Sequence, residues 1–294
     1  SKFTITIMNK ICQQTNTDET KQVIEFESKN FEFTVNNASV LVVDDNEINL
    51  KVIGRILKKY GIDAKTASNG IEAVDIIKRS KFDLVFMDQM MPEMDGVEAT
   101  QTIRNLDDEY FKKLPIIALT ANAVVGVKEE LMDAGMDDFI SKPIDIKTLE
   151  RVIKKYLSDK IVSNASKDQY DEQVIINKTE FENTSTQGPS IDVVCGIARC
   201  AGSEDIYLDV IETFYESGKN LIKQAQDEFD AKQFVDYKIT VHGIKSAAAN
   251  IGANKLSELA KGQEFAVKEE RISDAENGHP EMITEFQNVL NLLS

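Results

Sequence analysis

Two side chains in this sequence are placed where they could exchange a phosphoryl group. Asp88 ends the apolar run of DLVFMDQMMPEMDG, and His242 lies in VHGIKSAAANIGA, on the polar side of a predicted helix. A carboxylate can form an acyl phosphate, and an imidazole nitrogen can form a phosphoramidate. The two residues together could therefore carry out a two-step phosphoryl relay.

Other polar side chains that could assist Asp88 also follow apolar runs. Asp44 and Asp45 follow VLVV, Thr120 follows IIAL and Lys142 follows FIS. In a parallel sheet the carboxyl ends of the strands form one edge, where ligands bind. Three carboxylates that meet there resist ionisation unless a cation neutralises them, and Mg²⁺ prefers such oxygen ligands. Simple capping of helices is the alternative for either of the first two aspartates alone, but the coincidence of all five positions favours a site.

The elements that must position these side chains alternate between strand and helix. The runs VLVV, FDLVFM and PIIAL are short and uninterrupted, as in parallel strands buried on both faces. A final strand and helix are predicted at 139–141 and 146–157. Amphipathic stretches of helical length lie at 46–60, 71–79, 96–105 and 122–134. The pattern predicts a doubly wound α/β sheet.

The chain changes character after residue 158. Residues 158–190 are polar and end with Gly188 and Pro189, which indicates a linker rather than a loop within one domain. Beyond it, Ser203 can cap a helix. Further helices are predicted at 221–229, 234–251, 256–268 and 280–293. Four main helices with short connections favour an antiparallel bundle.

His242 is predicted to face away from the core of its helix. The helix carries one apolar stripe, formed by Tyr237, Val241, Ile244, Ala248 and Ile251. At 100° per residue, His242 points roughly 140° away from the middle of this stripe, which predicts solvent exposure. Lys245 and Ser246 flank it, and the lysine would disfavour a protonated ring and attract a phosphoryl group. An ordinary exposed histidine is the alternative, and His279 is expected to be structural or neutral.

Composition restricts the class of partner. The formal charge of −16 argues against nucleic-acid binding, which needs lysine and arginine on the surface. The sequence shows no run of about 18–20 apolar residues and no signal peptide. Three cysteines predict a reduced, cytoplasmic setting, which leaves open a membrane anchor in a longer parent protein. The expected partners are other proteins.

The segments VLVVDDNEINL, FDLVFMDQMMPEMDG, PIIALTAN and DDFISKP resemble the receiver domain of two-component response regulators over residues 38–158. The resemblance implies a flavodoxin-like, five-stranded parallel sheet, with Asp88 as the phosphoacceptor. It also implies a Mg²⁺ ion bound directly by Asp45 and Asp88, by Asp44 through water, and by the carbonyl of Met90.

Further residue roles follow from the same resemblance. Lys142 is expected to pair with the phosphoryl group, and Thr120 to reorient toward it. Phe139 takes the aromatic switch position, where many receivers carry tyrosine, so a hydroxyl contribution to switching is in doubt. The Lys142–Pro143 bond is expected to be cis.

VHGIKSAAANIGA resembles the His-x-x-Lys-Ser/Gly signature of histidine-containing phosphotransfer (HPt) domains, over residues 189–294. By this resemblance His242 is the phosphorylated residue. Lys245, Ser246 and Gly252 are its supporting positions, and the fold is a four-helix bundle.

The first seven residues, SKFTITI, resemble the last strand of the ATP-binding domain of sensor histidine kinases. We therefore expect residues 1–37 to be a remnant of that domain plus a linker, and 159–188 to be a second linker. The order of domains resembles the C-terminal portion of a hybrid sensor histidine kinase. The nucleotide-binding boxes are absent from this chain, so we do not expect it to use ATP itself.

Three functions are compatible with this organisation. In a phosphorelay, a kinase histidine loads Asp88, which passes the group to His242 and then to a separate response regulator. The kinase core would belong to the same parent chain or to a second protomer. In a regulated binding module, phosphorylation of Asp88 would control a partner, and His242 would drain the phosphate away. A scaffold with vestigial sites is the third. The direction of net flow is open.

Overall fold

Five parallel strands in the order β3-β2-β4-β5-β6 form the centre of the first domain. The computed structural model describes residues 33–121, 127–163 and 191–294. The strands and helices of this α/β domain are β1 Phe33–Val35, β2 Val40–Val43, α1 Glu47–Lys59, β3 Lys65–Ala67, α2 Gly70–Arg79, β4 Leu84–Asp88, α3 Gly96–Arg104, α4 Glu109–Lys113, β5 Ile116–Thr120, α5 Val127–Asp133, β6 Asp138–Ser141, α6 Ile146–Tyr156 and β7 Ile161–Ser163. The predicted doubly wound sheet is confirmed.

Helices cover both faces of this sheet because its central strands are apolar up to their last residues. Strands β2, β4 and β5 are buried along their whole length. Alternate residues point to opposite faces, so Val42 and Phe86 pack with α1 and α6, while Val43 and Met87 pack with α2 and α3. Asn46 caps α1 by accepting a hydrogen bond from the backbone N–H of Ile48. Polar residues lie at or just after the carboxyl ends of these strands, along one edge of the sheet.

A second, two-stranded sheet joins the flanks of the α/β domain. Strand β1 pairs antiparallel with β7, with Phe33 opposite Ser163. The ring of Phe33 packs on Tyr60 with ring centroids 5.1 Å apart. The sequence analysis assigns both strands to linker segments, within 1–37 and 159–188, but their pairing joins them to the α/β domain. Residues 1–32 and 164–190, which include the SKFTITI segment and most of the predicted linker, lie outside the described residues.

The helical domain consists of α7 Val193–Arg199, α8 Glu204–Asp230, α9 Phe234–Asn250, α10 Asn254–Lys268 and α11 Ile272–Leu292. Helices α8 to α11 contact one another in a closed ring, α8 with α9, α9 with α10, α10 with α11 and α11 with α8. The predicted bundle is confirmed. No helix among the described residues combines the length and hydrophobicity that crossing a bilayer needs.

Two helix boundaries differ from the prediction. Helix α8 is continuous, whereas the sequence analysis predicts a separate helix at 221–229. Within α8, a Cβ on Gly218 would lie 2.7 Å from Leu290 of α11. The glycine allows α8 to approach α11 closely. Helix α11 begins at Ile272, so Pro280 lies inside it rather than at its start. Burial of His279 and Met282 on this helix offsets the hydrogen bond that the proline cannot donate.

The two domains are packed together along α1. This helix contacts α8 and α9 of the helical domain. The buried apolar residues of α1 belong to the same hydrophobic cluster as those of the bundle. We call this contact, formed by α1 with α8 and α9, the docking face.

Candidate functional site

The predicted carboxylates converge at the edge of the sheet. Asp44 and Asp45 follow β2 and Asp88 ends β4, and one carboxylate oxygen from each lies within 4.8 Å of the others. The Lys142 amino group is 2.7 Å from Asp44 Oδ2 and 2.7 Å from Asp88 Oδ2. Asp88 Oδ1 has no hydrogen-bond partner among the described residues. The structure therefore brings together four residues that are scattered along the sequence. We call Asp44, Asp45 and Asp88 the acid cluster.

The cluster carries more negative charge than its lysine can neutralise. Burial and then the charge of Asp44 raise the pKa of Asp45 to about 7. Burial raises the pKa of Asp88 to about 7 although Lys142 lowers it. Burial lowers the pKa of Lys142, but the charges of Asp44 and Asp88 raise it above its ordinary value. Three oxygen ligands with a deficit of positive charge suit a hard divalent cation.

Residues beside Asp88 shape the end of β4. The buried Thr120 hydroxyl donates a hydrogen bond to Gln89 Oε1 at 2.6 Å. Met90 is half-buried. A Cβ on Gly96 would lie 2.0 Å from the carbonyl oxygen of Asp88, so only glycine lets α3 begin against the strand end. Sequence reasoning missed Gln89 and Gly96, although the Asp-Gly pair in MPEMDG was a visible signal.

The cis Lys142–Pro143 bond is confirmed, whereas the switch role of Phe139 stays a prediction. Phe139 lies on β6, half-buried, with the Lys128 amino group 5.9 Å from its ring centre. The Lys142–Pro143 bond is cis.

The prediction that His242 is exposed to solvent is wrong. Its side chain points away from the helical core as expected, but the residue is only 4% exposed. The α/β domain covers this side of α9. The Asn46 side-chain amide donates to the carbonyl of Gly243 at 3.0 Å, and Asn250 Nδ2 donates to Asn49 Oδ1 at 3.0 Å. Helix α9 is therefore buried on two faces, one by its own bundle and one by α1.

A carboxylate from another helix fixes the orientation of the histidine ring. His242 Nδ1 lies 2.8 Å from Glu264 Oε1, and Lys245 pairs with Glu264 Oε2. A carboxylate only accepts, so Nδ1 carries a hydrogen that it donates to Glu264. Burial would raise the pKa of Glu264, but hydrogen bonds and charges from His242 and Lys245 lower it to about 2. The carboxylate therefore holds the ring by Nδ1 and leaves Nε2 directed away from Glu264.

The second ring nitrogen of His242 is buried where α9 meets the loop after β2, since the neighbouring Gly243 carbonyl accepts a hydrogen bond from Asn46. Nε2 of His242 is buried and has no hydrogen-bond partner among the described residues. Sequence reasoning missed Glu264, because it lies on α10 and no local pattern relates it to the histidine.

The predicted supporting positions have different surroundings. Lys245 Nζ lies 3.3 Å from His242 Nδ1 and shares Glu264 with it. The Ser246 hydroxyl is buried without a hydrogen-bond partner in the described structure. Gly252 has φ +80°, and a Cβ there would lie 2.0 Å from the carbonyl oxygen of Asp192. Gly252 thus supports the turn after α9 rather than the histidine itself.

His279 is part of the bundle core. Its ring stacks on Phe229 with centroids 4.0 Å apart, and its Nδ1 lies 2.8 Å from the hydroxyl of Tyr237. These contacts agree with a structural role.

Two further polar contacts cross the docking face. The Lys51 amino group donates to Thr213 Oγ1 at 2.6 Å. Arg55 pairs with Asp209, and both side chains are partly exposed. Polar contacts thus extend along α1 beyond the histidine.

Comparison with known proteins identifies two domain families. The response regulator receiver domain matches residues 40–154, and the Hpt domain matches residues 209–293. Sensor histidine kinase GacS of Pseudomonas protegens is 31% identical over 235 residues, which cover 79% of this chain and 24% of that protein. Signal transduction histidine-protein kinase BarA of Escherichia coli (strain K12) is 28% identical over 255 residues, 85% of this chain and 26% of that protein.

A solved structure covers the first domain. The receiver domain of sensor histidine kinase PA1611 from Pseudomonas aeruginosa PAO1, crystallised with a magnesium ion in its active site cleft, is 36% identical. It covers 41% of this chain and 98% of its own, with a TM-score of 0.38. The chain itself spans about a quarter of the length of the GacS and BarA kinases it matches.

Proposed function

Because the chain contains a response regulator receiver domain followed by an Hpt domain, we propose that it is a two-component phosphorelay protein. Asp88 accepts a phosphoryl group from a kinase phosphohistidine and passes it to His242. His242 then donates the group to an aspartate of a separate response regulator.

One observation carries this proposal: the Asp88 carboxylate and an unpartnered nitrogen of His242 are both buried, and Asn46, which follows Asp44 and Asp45, is hydrogen-bonded to Gly243, which follows His242. Asp88 Oδ1 and His242 Nε2 both lack hydrogen-bond partners among the described residues. Water is therefore largely excluded from the place where transfer would occur, and a phosphoryl group held there is protected from hydrolysis.

The transfer balances without an added base. The Nε2 lone pair of His242 forms the new N–P bond while the P–O bond to Asp88 breaks, and Asp88 leaves as a carboxylate. The Nδ1 proton stays on the ring, where ionised Glu264 stabilises the positive charge that develops. Lys142, between Asp44 and Asp88, stabilises the carboxylate that is released.

The acid cluster fits Mg²⁺, which would neutralise the phosphoryl oxygens when bound. Asp45 and Asp88 would hold the ion directly, Asp44 would hold it through water, and the carbonyl of Met90 would complete the protein ligands. Thr120 and Phe139 would respond to the phosphorylated state. These roles rest on the family match together with the clustering of the carboxylates.

The partners follow from the two steps outside the chain. A histidine kinase core supplies the phosphoryl group and a response regulator receives it. Both reactive groups are covered in the docked arrangement, so the domains must separate for either partner to reach them. Few cysteines, with Cys195 and Cys200 free, are consistent with action in the cytoplasm.

Substitution of the phosphoacceptor tests the proposal. The full chain is incubated with a small acyl phosphate and Mg²⁺, and phosphoaspartate and phosphohistidine are separated by their different stabilities in acid and base. We expect Asp88→Asn to lose label at both residues, and His242→Gln to retain label at Asp88 alone. Asp75→Asn, an exposed carboxylate on α2, is the matched control. Labelling of His242 in the Asp88→Asn chain would contradict the relay.

A further inference from the structure

Asp44 dictates which way the Asn49 amide points. Asp44 is completely buried, and its Oδ1 accepts hydrogen bonds from the backbone of Asn46 at 3.0 Å and from Asn49 Nδ2 at 2.9 Å. Both Asp44 oxygens are acceptors, since Oδ2 accepts from the Lys142 amino group at 2.7 Å, so Asn49 must turn its NH₂ group toward Asp44. The Asn49 side-chain oxygen is consequently directed toward the docking face.

That oxygen needs a donor from the other domain. Asn49 is 4% exposed and Asn250 is 7% exposed, so water has little access to the contact between them. Asn250 Nδ2 supplies the donor at 3.0 Å. A partner without a donor at this position would leave a buried amide oxygen unsatisfied, which is more costly than the hydrogen bond itself is favourable.

The other polar contacts of the docking face distinguish less well between possible partner helices. Asn46 donates to the backbone carbonyl of Gly243, a group that any residue offers. Arg55 and Asp209 are partly exposed, so solvent can replace either of them. The hydrogen bond between Asn49 and Asn250 is a buried contact between two side chains. Asp44 determines which of the two amides is the donor.

We propose that Asn250 is a specificity-determining residue for phosphotransfer. The receiver domain transfers to a histidine helix that presents a hydrogen-bond donor opposite Asn49, and it rejects one that presents an acceptor. This inference rests on the proposed relay between Asp88 and His242. It adds that the acid cluster itself, through Asp44 and Asn49, sets the requirement for the partner.

Three variants of the full chain test the requirement. Asn250→Ala is expected to slow transfer from Asp88 to His242 about tenfold, the effect of one unsatisfied buried amide. Asn250→Asp places acceptor against acceptor near the charge of Asp44 and is expected to slow transfer about a hundredfold. Asp75→Asn, an exposed carboxylate on α2 outside the docking face, is the control, and its rate is expected to match wild type.

Two measurements separate this role from a general loss of structure. Loading of Asp88 by a small acyl phosphate, in a His242→Gln background, should be unchanged by the Asn250 variants. Loading of His242 by phosphoramidate should also be unchanged. A variant that loses either reaction is replaced by Asn250→Ser, which keeps a donor and should transfer faster than Asn250→Ala.

A double-mutant cycle gives the deciding result. If Asn250 acts by satisfying Asn49, the chain with both Asn49→Ala and Asn250→Ala should transfer no more slowly than Asn49→Ala alone. Additive losses, or equal rates for Asn250→Ala and wild type, would overturn the inference. If wild type loads Asp88 but passes nothing to His242, the proposed relay itself has failed, which is a distinguishable outcome.

Discussion

Replacement of Glu264 by alanine should slow phosphotransfer without affecting phosphorylation of Asp88. Glu264 Oε1 lies 2.8 Å from His242 Nδ1, and its side chain is 15% exposed. A hydrogen bond to a charged group contributes about 1.5–3 kcal/mol when it is well buried. Partial exposure, and the ability of Lys245 to move once its partner is gone, favour the low end. About 1.5 kcal/mol corresponds to a rate about tenfold lower.

The assay follows label in a single turnover. The chain is loaded at Asp88, the small donor is removed, and the appearance of phosphohistidine is timed. Glu264→Gln keeps an oxygen for Nδ1 but turns an amide NH₂ toward Lys245, so an intermediate rate is expected. Glu258→Ala, an exposed carboxylate on the same helix that pairs with Lys261, is the control and should match wild type.

The reasoning would be refuted by a Glu264→Ala chain that transfers at the wild-type rate with normal loading of Asp88. In that case the ring would hold its reactive tautomer without the carboxylate. A loss of thermal stability without a loss of rate would give Glu264 a structural role only.

Three further predictions follow from the geometry. Reversing the charge of either Arg55 or Asp209 should slow transfer a few-fold, because like charges would then face each other across the docking face. Reversing both charges together should restore the rate in the same single-turnover assay. Without Mg²⁺, the pKa values of Asp45 and Asp88 are raised from 3.8 to about 7, so the folded chain binds more protons than the unfolded chain between these pH values. The thermal unfolding temperature should therefore fall as the pH rises through that window. Added Mg²⁺ should remove most of that fall, and a flat profile in its absence would contradict the raised pKa values of Asp45 and Asp88. Gly252→Ala, at φ +80° with a carbonyl 2.0 Å from the added Cβ, should lower the free energy of unfolding by about 2 kcal/mol or more in denaturant titration, while Asp88 loading is unchanged.

The acid cluster was predictable because its signal is local. A parallel strand buried on both faces is an uninterrupted apolar run, so the polar residue that ends the run is visible in the sequence. The topology then brings the ends of β2, β4 and β5 to one edge. Asp44, Asp88 and Thr120 therefore lie where the sequence placed them. The apolar stripe of α9 was visible in the same way, through its helical period.

The sequence was less informative about boundaries. Gly218 and Pro280 are residue types common at helix ends, yet both lie inside helices. Gly218 lets α8 pack closely against α11, and buried neighbours of Pro280 stabilise α11 around it. Strands β1 and β7 are stabilised by pairing across the domain. No property of three residues by themselves could show that.

The sequence by itself determined which groups could carry a phosphoryl group and which side of α9 bears His242. Only the tertiary structure decided that this side is buried, that Glu264 fixes the reactive nitrogen, and that Asn49 requires a donor from Asn250. The physical reason is that a periodic pattern records how a segment faces its own core, whereas a contact between distant elements depends on how complete surfaces pack. A polar stripe on a helix has the same pattern whether water or another domain covers it.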